Sequence, residues 1–216
     1  MNDPQKFIYN DRKNYSIDEL IESVIEKNPI DQFTKWFEIA IRENIVEPHA
    51  MNLATINHAG HPTSRIVLLR TYDEKGFTFY TNYTSAKGQD MLHHNYVALN
   101  FFWHQLEKQI RIEGKIEKVD AKTSDEYFAS RPRESQIGAW ASKQSKTLRS
   151  REELMDEFKK LEKQFEEKEV PRPPNWGGYL VIPTRIEFWQ GRPNRLHDRI
   201  LYTLENNNWK TERLSP

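Results

Sequence analysis

Arginines at both ends of one apolar segment are the first residues here whose type and spacing suggest ligand binding. Arg65 and Arg70 flank the apolar residues of the run RIVLLR. A guanidinium group is costly to bury without a partner, and its planar shape binds a phosphate or carboxylate through two hydrogen bonds. The run therefore indicates an anion site, although two arginines on the outer face of a strand would give the same pattern.

A second segment places a cation at the start of a helix. In TNYTSAKG, Lys87 follows a strand end at a point where a helix can begin. The free backbone N–H groups of a helix N-terminus and the ammonium group could bind one anion together. Gln144 and Ser145, further along the chain, add neutral hydrogen-bond donors.

A third segment, EYFASRPRESQIGAW, spaces three polar side chains by four residues. Tyr127, Arg131 and Ser135 share one side of a helix if that helix continues through Pro132. A phenol, a guanidinium and a hydroxyl on one side would suit a phosphate group.

The C-terminal run RIEFWQGRPNRLHDR holds Trp189, Arg195, His197 and Arg199 within eleven positions. If this run is extended, alternation puts its two arginines and the histidine on one face. These side chains repel one another unless an anion lies between them. The run therefore points to a further anionic group.

The sequence lacks the motifs that mark other kinds of functional site. The sequence contains no G-x-G-x-x-G, no phosphate-binding G-x-x-x-x-G-K, no H-E-x-x-H and no G-x-S-x-G. His93 and His94 are adjacent, so on a helix they point apart. We therefore expect no metal ion and no hydrolase chemistry.

Composition narrows the class of protein. The 216 residues include 32 Lys plus Arg and 32 Asp plus Glu, and the zero net charge argues against a non-specific nucleic-acid partner. The absence of cysteine is compatible with a reducing compartment. The N-terminus lacks the apolar core of a signal peptide, and no apolar run approaches the ~20 residues of a membrane span. We expect a soluble cytoplasmic protein with no membrane partner.

Two helices and a series of strands are predicted to position these side chains. Ser16 and Glu19 form a capping box before apolar residues at helical spacing, which predicts a first helix ending at Pro29. Asp31 would cap a second helix that ends by Pro48. Alternating segments from Met51 onward then predict an antiparallel meander.

At least seven strands are expected, with a short helix after Ser85 and a mostly helical section before a proline-rich linker. Ile110, Ile112 and Ile116 alternate with polar and charged residues, which predicts a half-buried strand. Ser150 and Glu153 form a second capping box before a helical stripe of Leu154, Phe158, Leu161 and Phe165, and the run DRILYTLENNNWKTERL predicts a closing hairpin.

We predict a mainly β fold with peripheral helices (α+β), an antiparallel barrel formed by one domain over 1–216. Its sections would be an N-terminal helical segment and candidate lid (1–48), barrel strands (49–120), a helical section (121–170) and C-terminal strands with the substrate motif (171–216).

Several motifs in this order resemble those of the pyridoxamine (pyridoxine) 5′-phosphate oxidase family. They are RIVLLR, FYTNYTSAKG, SRPRESQIGAW, SKQS, WGG, IEFWQG and RLHDR. The resemblance implies an FMN-binding split β-barrel and a homodimer with FMN at the subunit interface. It also implies oxidation of pyridoxamine or pyridoxine 5′-phosphate to pyridoxal 5′-phosphate in vitamin B6 synthesis and salvage. Oxygen would be the acceptor, peroxide a product, and ammonia a further product from the amine.

The same resemblance assigns roles to individual residues. FMN would be held, partly from the second subunit, by Arg65, Ile66, Val67, Leu68, Leu69, Arg70, Tyr80, Thr81, Lys87, Gln109, Gln144, Ser145, Trp189 and Arg199. The substrate would contact Arg12, Tyr15, Arg70, Tyr127, Arg131, Ser135, Arg195 and His197. Arg195 and His197 would lie over the pyridine ring as the catalytic residues, while Arg12 and Tyr15 would close over the bound substrate.

Two positions depart from the family pattern. The family usually has lysine at the position of Arg70, so the charge is kept while its geometry changes. It commonly has arginine at the position of Ala86, beside Lys87. The loss of one charge-assisted hydrogen bond is worth about 1.5–3 kcal/mol, so we predict weaker FMN retention than is typical.

Three alternatives remain open from the residues. A split-barrel flavoprotein of phenazine assembly would share the FMN residues but need not keep Tyr127, Arg131, Ser135 and Arg195. A non-catalytic module that binds flavin or pyridoxal phosphate would leave its flavin oxidised when substrate is added without air. A barrel that binds single-stranded nucleic acid would use basic strand ends and aromatics, against the zero net charge.

Overall fold

Residues 13–216 are described by a computed structural model, in which the chain divides into two compact units. The first unit comprises residues 13–48, Phe101–Arg111 and Arg185–Pro216. The second comprises His49–Asn100 and Ile112–Thr184. The single-domain organisation expected from the sequence stays a prediction.

Nine strands and five α-helices are found in the described residues. The strands are β1 (Ala50–Ile56), β2 (Pro62–Leu68), β3 (Thr71–Asp73), β4 (Gly76–Asn82), β5 (Tyr96–Trp103), β6 (Lys108–Lys118), β7 (Trp176–Gln190), β8 (Asp198–Glu205) and β9 (Asn208–Arg213). The helices are α1 (Pro29–Arg42), α2 (Ala86–His93), α3 (Ala121–Ala129), α4 (Arg133–Ala141) and α5 (Arg151–Gln164). No helix in residues 13–216 is both long and apolar enough to cross a membrane.

An antiparallel sheet joins the strands of the described residues. Its strand order is β2-β1-β5-β6-β7-β4-β3. Leu53 of β1 pairs with Arg65 of β2, and Tyr80 of β4 pairs with Gly178 of β7. In β1 the buried and half-buried side chains alternate, which is the pattern of a strand with one face on the core. The two hairpins of the predicted antiparallel meander form, β1 with β2 and β3 with β4, but these pairs lie at opposite ends of the strand order, so the continuous meander is wrong.

Helices α3, α4 and α5 pack around an apolar cluster of their own in the second unit. Leu161 and Phe165 are buried in this cluster, with Leu154 and Phe158 packed against it. These are the four positions of the stripe read from the sequence, and α5 begins at the predicted cap because Ser150 accepts a hydrogen bond from the Glu153 N–H.

The first unit is centred on aromatic side chains. Trp36 of α1 packs edge-on against Phe188 of β7 at 5.2 Å, and Phe188 packs against Tyr202 of β8 at 5.6 Å. Strand β8 pairs with the last part of β7 and with β9, which gives the predicted closing hairpin.

The first predicted helix does not form. Residues 13–28 contain turns but no helix, because the backbone N–H groups of Ser16 and Ile17 donate to the Glu107 carboxylate and that of Leu20 donates to Asp198. The Leu20 N–H would make the first internal hydrogen bond of a helix capped at Ser16, so its bond to Asp198 replaces that helical bond.

The second predicted helix forms with different ends. Asn28 caps it in place of Asp31, because the Asn28 side chain accepts from the Ile30 N–H at 2.8 Å. Pro29 follows at the first helical position, where proline is favoured. The helix ends at Arg42, several residues before Pro48.

Candidate active site

A cavity of about 470 Å³ opens in the second unit. It is formed by the end of β2, by β4, by the first turn of α2, and by α3, α4 and the residues that follow. Its lining includes Ile66, Val67, Leu68, Arg70, Tyr80, Thr81, Asn82, Lys87, Tyr127, Arg131, Ser135, Gly138, Ala139, Ser142, Gln144 and Trp176. Three of the segments singled out in the sequence therefore meet at one cavity.

Lys87 lies in this cavity at the N-terminus of α2. Ser85 caps the helix, and the Lys87 ammonium group donates to Thr81 Oγ1 at 3.2 Å and to Gln144 Oε1 at 3.0 Å. Burial and the nearby charge of Arg65 lower the pKa of Lys87. An anion placed beside these two cations would offset that repulsion, so this corner of the cavity favours a phosphate.

Arg65 is held by two threonines and a carboxylate. Its Nη1 donates to Thr55 Oγ1 at 2.6 Å and its Nη2 to Thr63 Oγ1 at 2.8 Å. Both hydroxyl groups donate to Asp90 Oδ2, at 2.7 Å and 2.9 Å. Burial alone would raise the pKa of Asp90, but these hydroxyls and Arg65 lower it. Arg65 therefore has a carboxylate partner inside the chain, which the sequence analysis did not name.

Three aromatic rings stack on one another at the cavity. Tyr80 lies 3.8 Å from Tyr127, and Trp176 lies 5.5 Å from Tyr80, with all three planes nearly parallel. The Arg131 guanidinium sits over the Trp176 ring at 4.7 Å. Such a contact holds a cation in place without using its hydrogen bonds.

Arg131 keeps an unused donor. Its Nη1 is buried and has no hydrogen-bond partner within residues 13–216. Burial, and to a smaller extent the charge of Arg70, lower the pKa of Arg131, against the opposing effect of Tyr127. Because a buried unpaired charged donor is costly, this group fits an anionic ligand that supplies the missing acceptor.

No helix continues through Pro132, so Tyr127, Arg131 and Ser135 do not share one helical side, although all three line one cavity. Helix α3 ends at Ala129 and α4 begins at Arg133, since proline and the residue before it resist helical continuation. Tyr127 is on α3, Ser135 is on α4, and Arg131 is in the link between them.

A separate cavity of about 730 Å³ lies in the first unit, lined by Lys13, Asn14, Tyr15, Arg192, Asn194, Arg195 and His197. The His197 ring is 4.7 Å from that of Trp189 and 5.8 Å from that of Tyr15. The Arg192 backbone N–H donates to His197 Nδ1 at 3.1 Å. This bond leaves Nε2 as the protonated nitrogen of a neutral imidazole.

The charges around His197 favour that neutral form. Burial and the positive charge of Arg195 lower the pKa of His197, and Asp198 opposes them more weakly. A neutral imidazole with its Nε2 proton available can donate a hydrogen bond or relay a proton.

The run is not extended at Pro193–Arg195, so the condition for a common face of Arg195, His197 and Arg199 is not met. Pro193–Arg195 forms a tight 3₁₀ turn in which Asn194 and Arg195 have φ values of 57° and 62°, so side chains do not alternate there. Arg199 instead donates to both oxygens of Glu187, at 2.8 Å and 3.1 Å, which raises its pKa. Its charge is matched by a carboxylate of this chain.

Comparison with known proteins identifies the family. A sequence model of the family described as pyridoxamine 5′-phosphate oxidase matches residues 37–165. A second family model, described as the pyridoxine 5′-phosphate oxidase C-terminal dimerisation region, matches residues 176–216. The chain belongs to the pyridoxamine 5′-phosphate oxidase family. The resemblance found in the sequence is thereby confirmed.

Similar proteins in this oxidase family span the whole chain. A pyridoxine/pyridoxamine 5′-phosphate oxidase of Cyanothece sp. is 53% identical over 205 residues, covering 95% of this chain and 96% of the relative. One of Actinobacillus pleuropneumoniae is also 53% identical, covering 97% of this chain and 99% of the relative.

Two solved structures support the fold. PhzG from Burkholderia lata, solved with tetrahydrophenazine-1-carboxylic acid, has a TM-score of 0.87 and 30% identity, covering 93% of this chain and all of its own. An FMN-binding protein of Nostoc punctiforme related to pyridoxamine 5′-phosphate oxidase has a TM-score of 0.69 and 16% identity, covering 85% of this chain and 97% of its own. The expected split β-barrel fold is confirmed.

The remaining residues expected from the oxidase family fall in varied places. Leu69 is buried in the core, Ser145 is exposed with a φ of 69°, and Gln109 is half-buried on β6. Trp189 is on β7 in the first unit. Arg12 lies outside the described residues. The individual roles of all these side chains stay predictions.

Several lining residues had been given no role from the sequence. Trp176 is the most informative, because it stacks on Tyr80 and lies under Arg131; the WGG motif that begins with it was the available signal. Arg192 and Asn194 in the first unit come from the loop before RLHDR. Lys13 and Asn14, also in that cavity, adjoin Tyr15, but no pattern marked them.

Proposed function

We propose that this chain is an FMN-dependent oxidase that converts pyridoxamine 5′-phosphate and pyridoxine 5′-phosphate to pyridoxal 5′-phosphate. Oxygen is the acceptor, hydrogen peroxide is formed, and the amine substrate also releases ammonia. Relatives about half identical over nearly the full chain carry this activity in their names. The structural observation that carries the proposal is the buried, unpartnered Nη1 of Arg131 at the cavity of the second unit.

The second unit suits FMN. Lys87, with the helix N-terminus beneath it, favours the phosphate, while Thr81 and Gln144 offer neutral polar groups. The apolar side chains of Ile66, Val67 and Leu68 line the same cavity. When bound, FMN would accept a hydride from the substrate and pass the electrons to oxygen.

The substrate phosphate is assigned to Arg70, Tyr127, Arg131 and Ser135. All four line the cavity of the second unit. Arg131 is fixed against Trp176, so its free donor is oriented before any ligand arrives. A fixed anchor at the phosphate places the remainder of the substrate in a defined position.

Arg195, His197 and Tyr15 are assigned to the substrate ring. The Arg195 cation would orient the substrate ring by donating hydrogen bonds to its polar groups. His197, held with Nδ1 as acceptor, presents its Nε2 proton. Tyr15 lies against His197 at 5.8 Å and limits the positions of that imidazole.

The active form is a homodimer, since the matched C-terminal region is named for dimerisation. In the single chain Ile66 is 64% exposed and Phe102 is 50% exposed, and a partner subunit would cover such side chains. Size-exclusion chromatography with light scattering tests the dimer. A cytoplasmic location is also part of this proposal, and cell fractionation followed by immunoblotting would check it.

The decisive experiment reconstitutes the purified protein with FMN and supplies pyridoxine 5′-phosphate under air. Pyridoxal 5′-phosphate and peroxide should appear in equal amounts, and pyridoxamine 5′-phosphate should also give ammonia. A protein that binds FMN but forms neither product would refute the oxidase activity.

A second candidate is oxidation of a reduced phenazine, favoured by the likeness to PhzG at 30% identity. The same assay with tetrahydrophenazine-1-carboxylic acid in place of the B6 substrate distinguishes the two. Substituting Arg131 should impair only the phosphorylated substrate, because its unpaired donor matches a phosphate.

A further inference from the structure

A buried carboxylate in the first unit lies between two segments that line its cavity. Glu107 is 2% exposed and adopts a left-handed backbone conformation, with φ 55°, between the turn His104–Leu106 and strand β6. Non-glycine residues adopt this conformation only at an energetic cost, so surrounding contacts must maintain it.

The Glu107 side chain holds the segment before α1. Its Oε2 accepts hydrogen bonds from the backbone N–H groups of Ser16 at 2.9 Å and Ile17 at 3.1 Å. Its Oε1 lies 3.2 Å from the Lys13 ammonium group. One carboxylate therefore fixes the chain on both sides of Tyr15.

The Glu107 backbone holds the facing segment. Its carbonyl oxygen accepts from the Gly191 N–H at 2.8 Å and from the Gln190 side-chain amide at 3.2 Å. Gly191 leads into the loop that carries Arg195 and His197. Both segments of the cavity are thus hydrogen-bonded to the same residue.

Gly191 leaves the space that Tyr15 needs. A Cβ atom at Gly191 would lie 2.7 Å from Tyr15 Cγ and 3.0 Å from Glu107 Cβ, which is closer than such atoms pack. The Tyr15 ring therefore rests on the bare backbone of Gly191, edge-on to Trp189 at 5.8 Å and to His197 at 5.8 Å.

We propose that Glu107 is a positioning residue for the oxidase reaction: its carboxylate, through the Ser16 and Ile17 N–H groups, holds Tyr15 against His197 and so shapes the place of the substrate ring. Glu107 makes no contact with the substrate in this role. The inference rests on the proposed function and adds a determinant of substrate affinity to it.

The charge state of Glu107 agrees with this role. Burial alone would raise its pKa, but the Ile17 N–H, Lys13 and the Ser16 N–H together lower it. The carboxylate is therefore ionised at neutral pH, where it can accept all three donors. A glutamine side chain has a single acceptor oxygen, so it cannot replace both the Oε1 contact with Lys13 and the Oε2 contacts with Ser16 and Ile17.

The first test compares Glu107→Gln with Glu22→Gln in the FMN-loaded protein. Glu22 is the matched control, because it also ties the same segment to a distant residue, accepting from Arg213 at 2.6 Å and 2.9 Å. Hydrogen–deuterium exchange followed by mass spectrometry reports on the amides of Ser16 and Ile17 directly. These amides should exchange at least about tenfold faster in E107Q and at the wild-type rate in E22Q. Unchanged exchange in E107Q would overturn the proposal.

The second test is kinetic. E107Q should raise KM for pyridoxine 5′-phosphate roughly tenfold while kcat changes by less than about threefold, and E22Q should change neither. In a Tyr15→Ala background, E107Q should have no further effect on KM, because Glu107 acts through Tyr15. Full additivity of the two substitutions would contradict this route.

The remaining outcomes are also decisive. If E107Q does not fold, Gly191→Ala displaces the Tyr15 ring while keeping the carboxylate, and it should produce the same KM increase; an unchanged KM would refute the role of Tyr15 placement. If the wild-type protein oxidises no B6 phosphate, the proposed function fails, and the exchange experiment alone then supports or overturns the anchoring by Glu107.

Discussion

Replacing Arg131 by methionine should separate substrate binding from stability. In the free protein the substitution removes the contact of the guanidinium with Trp176 at 4.7 Å, worth about 0.5–2 kcal/mol. It also removes a buried donor that has no partner within residues 13–216, whose presence costs about 1–3 kcal/mol. Methionine keeps an apolar stem and a sulfur atom against the ring.

These two effects oppose each other, so the free energy of unfolding should lie between about 1 kcal/mol below and about 2.5 kcal/mol above the wild-type value. The substrate complex loses a charge-assisted hydrogen bond to phosphate, worth about 1.5–3 kcal/mol. KM for pyridoxine 5′-phosphate should therefore rise roughly ten- to hundredfold. Urea unfolding of the protein without substrate and initial rates of pyridoxal 5′-phosphate formation measure the two quantities separately.

Arg133→Met is the matched control for this experiment. Arg133 is exposed and donates to the backbone carbonyl oxygens of Lys168, at 3.0 Å, and Phe165. Its loss should lower the free energy of unfolding by about 1 kcal/mol and leave KM unchanged. The reasoning is refuted if Arg131→Met unfolds far more easily while its KM stays at the wild-type value, since Arg131 would then be a structural residue.

Three further predictions test other parts of the structure. Burial and Arg195 lower the pKa of His197, so kcat/KM should rise with pH to a midpoint below 6.5 and then level off, and His197→Asn should lack this rise. The free energy of unfolding should also fall as the pH drops below 6.5, because the unfolded chain takes up the proton before the folded chain does. Ala86→Arg should tighten FMN about tenfold or more in a fluorescence titration of the apoprotein, and unchanged affinity would mean that Lys87 and Arg65 already neutralise the phosphate. Gly88→Ala would put a Cβ atom 2.2 Å from the Tyr83 carbonyl oxygen and should cost at least about 2 kcal/mol in urea unfolding, whereas Gly138→Ala, with no atom within 4 Å, should be neutral or stabilising.

Much of the fold could be predicted because its signals are local. Alternation of apolar and polar residues marked β6, with Ile110 and Ile112 buried as expected. The helical stripe that includes Leu161 and Phe165 likewise predicted which face of α5 is buried. Such periodicities follow from the backbone geometry of a strand or helix and do not depend on what lies elsewhere in the chain.

The first helix could not be predicted correctly, because distant residues decide the outcome. The capping box at Ser16 and the apolar spacing after it are real local signals for a helix. In the structure the donors of Ser16 and Ile17 meet Glu107, which is 91 and 90 positions away. No local pattern shows that this carboxylate is buried beside them.

The candidate site also has one part that the sequence could predict and another that it could not. Residue types alone indicated cations that require anions, and this was sufficient to single out Arg65, Arg131 and Arg199. Only the tertiary structure decided which anions are internal: Asp90 for Arg65 and Glu187 for Arg199. Arg131 keeps a buried donor without a partner in the described residues. The sequence determines which charges the chain carries, whereas the packing of remote segments determines which of them remain available for a ligand, since charges pair only across the few ångströms that folding sets.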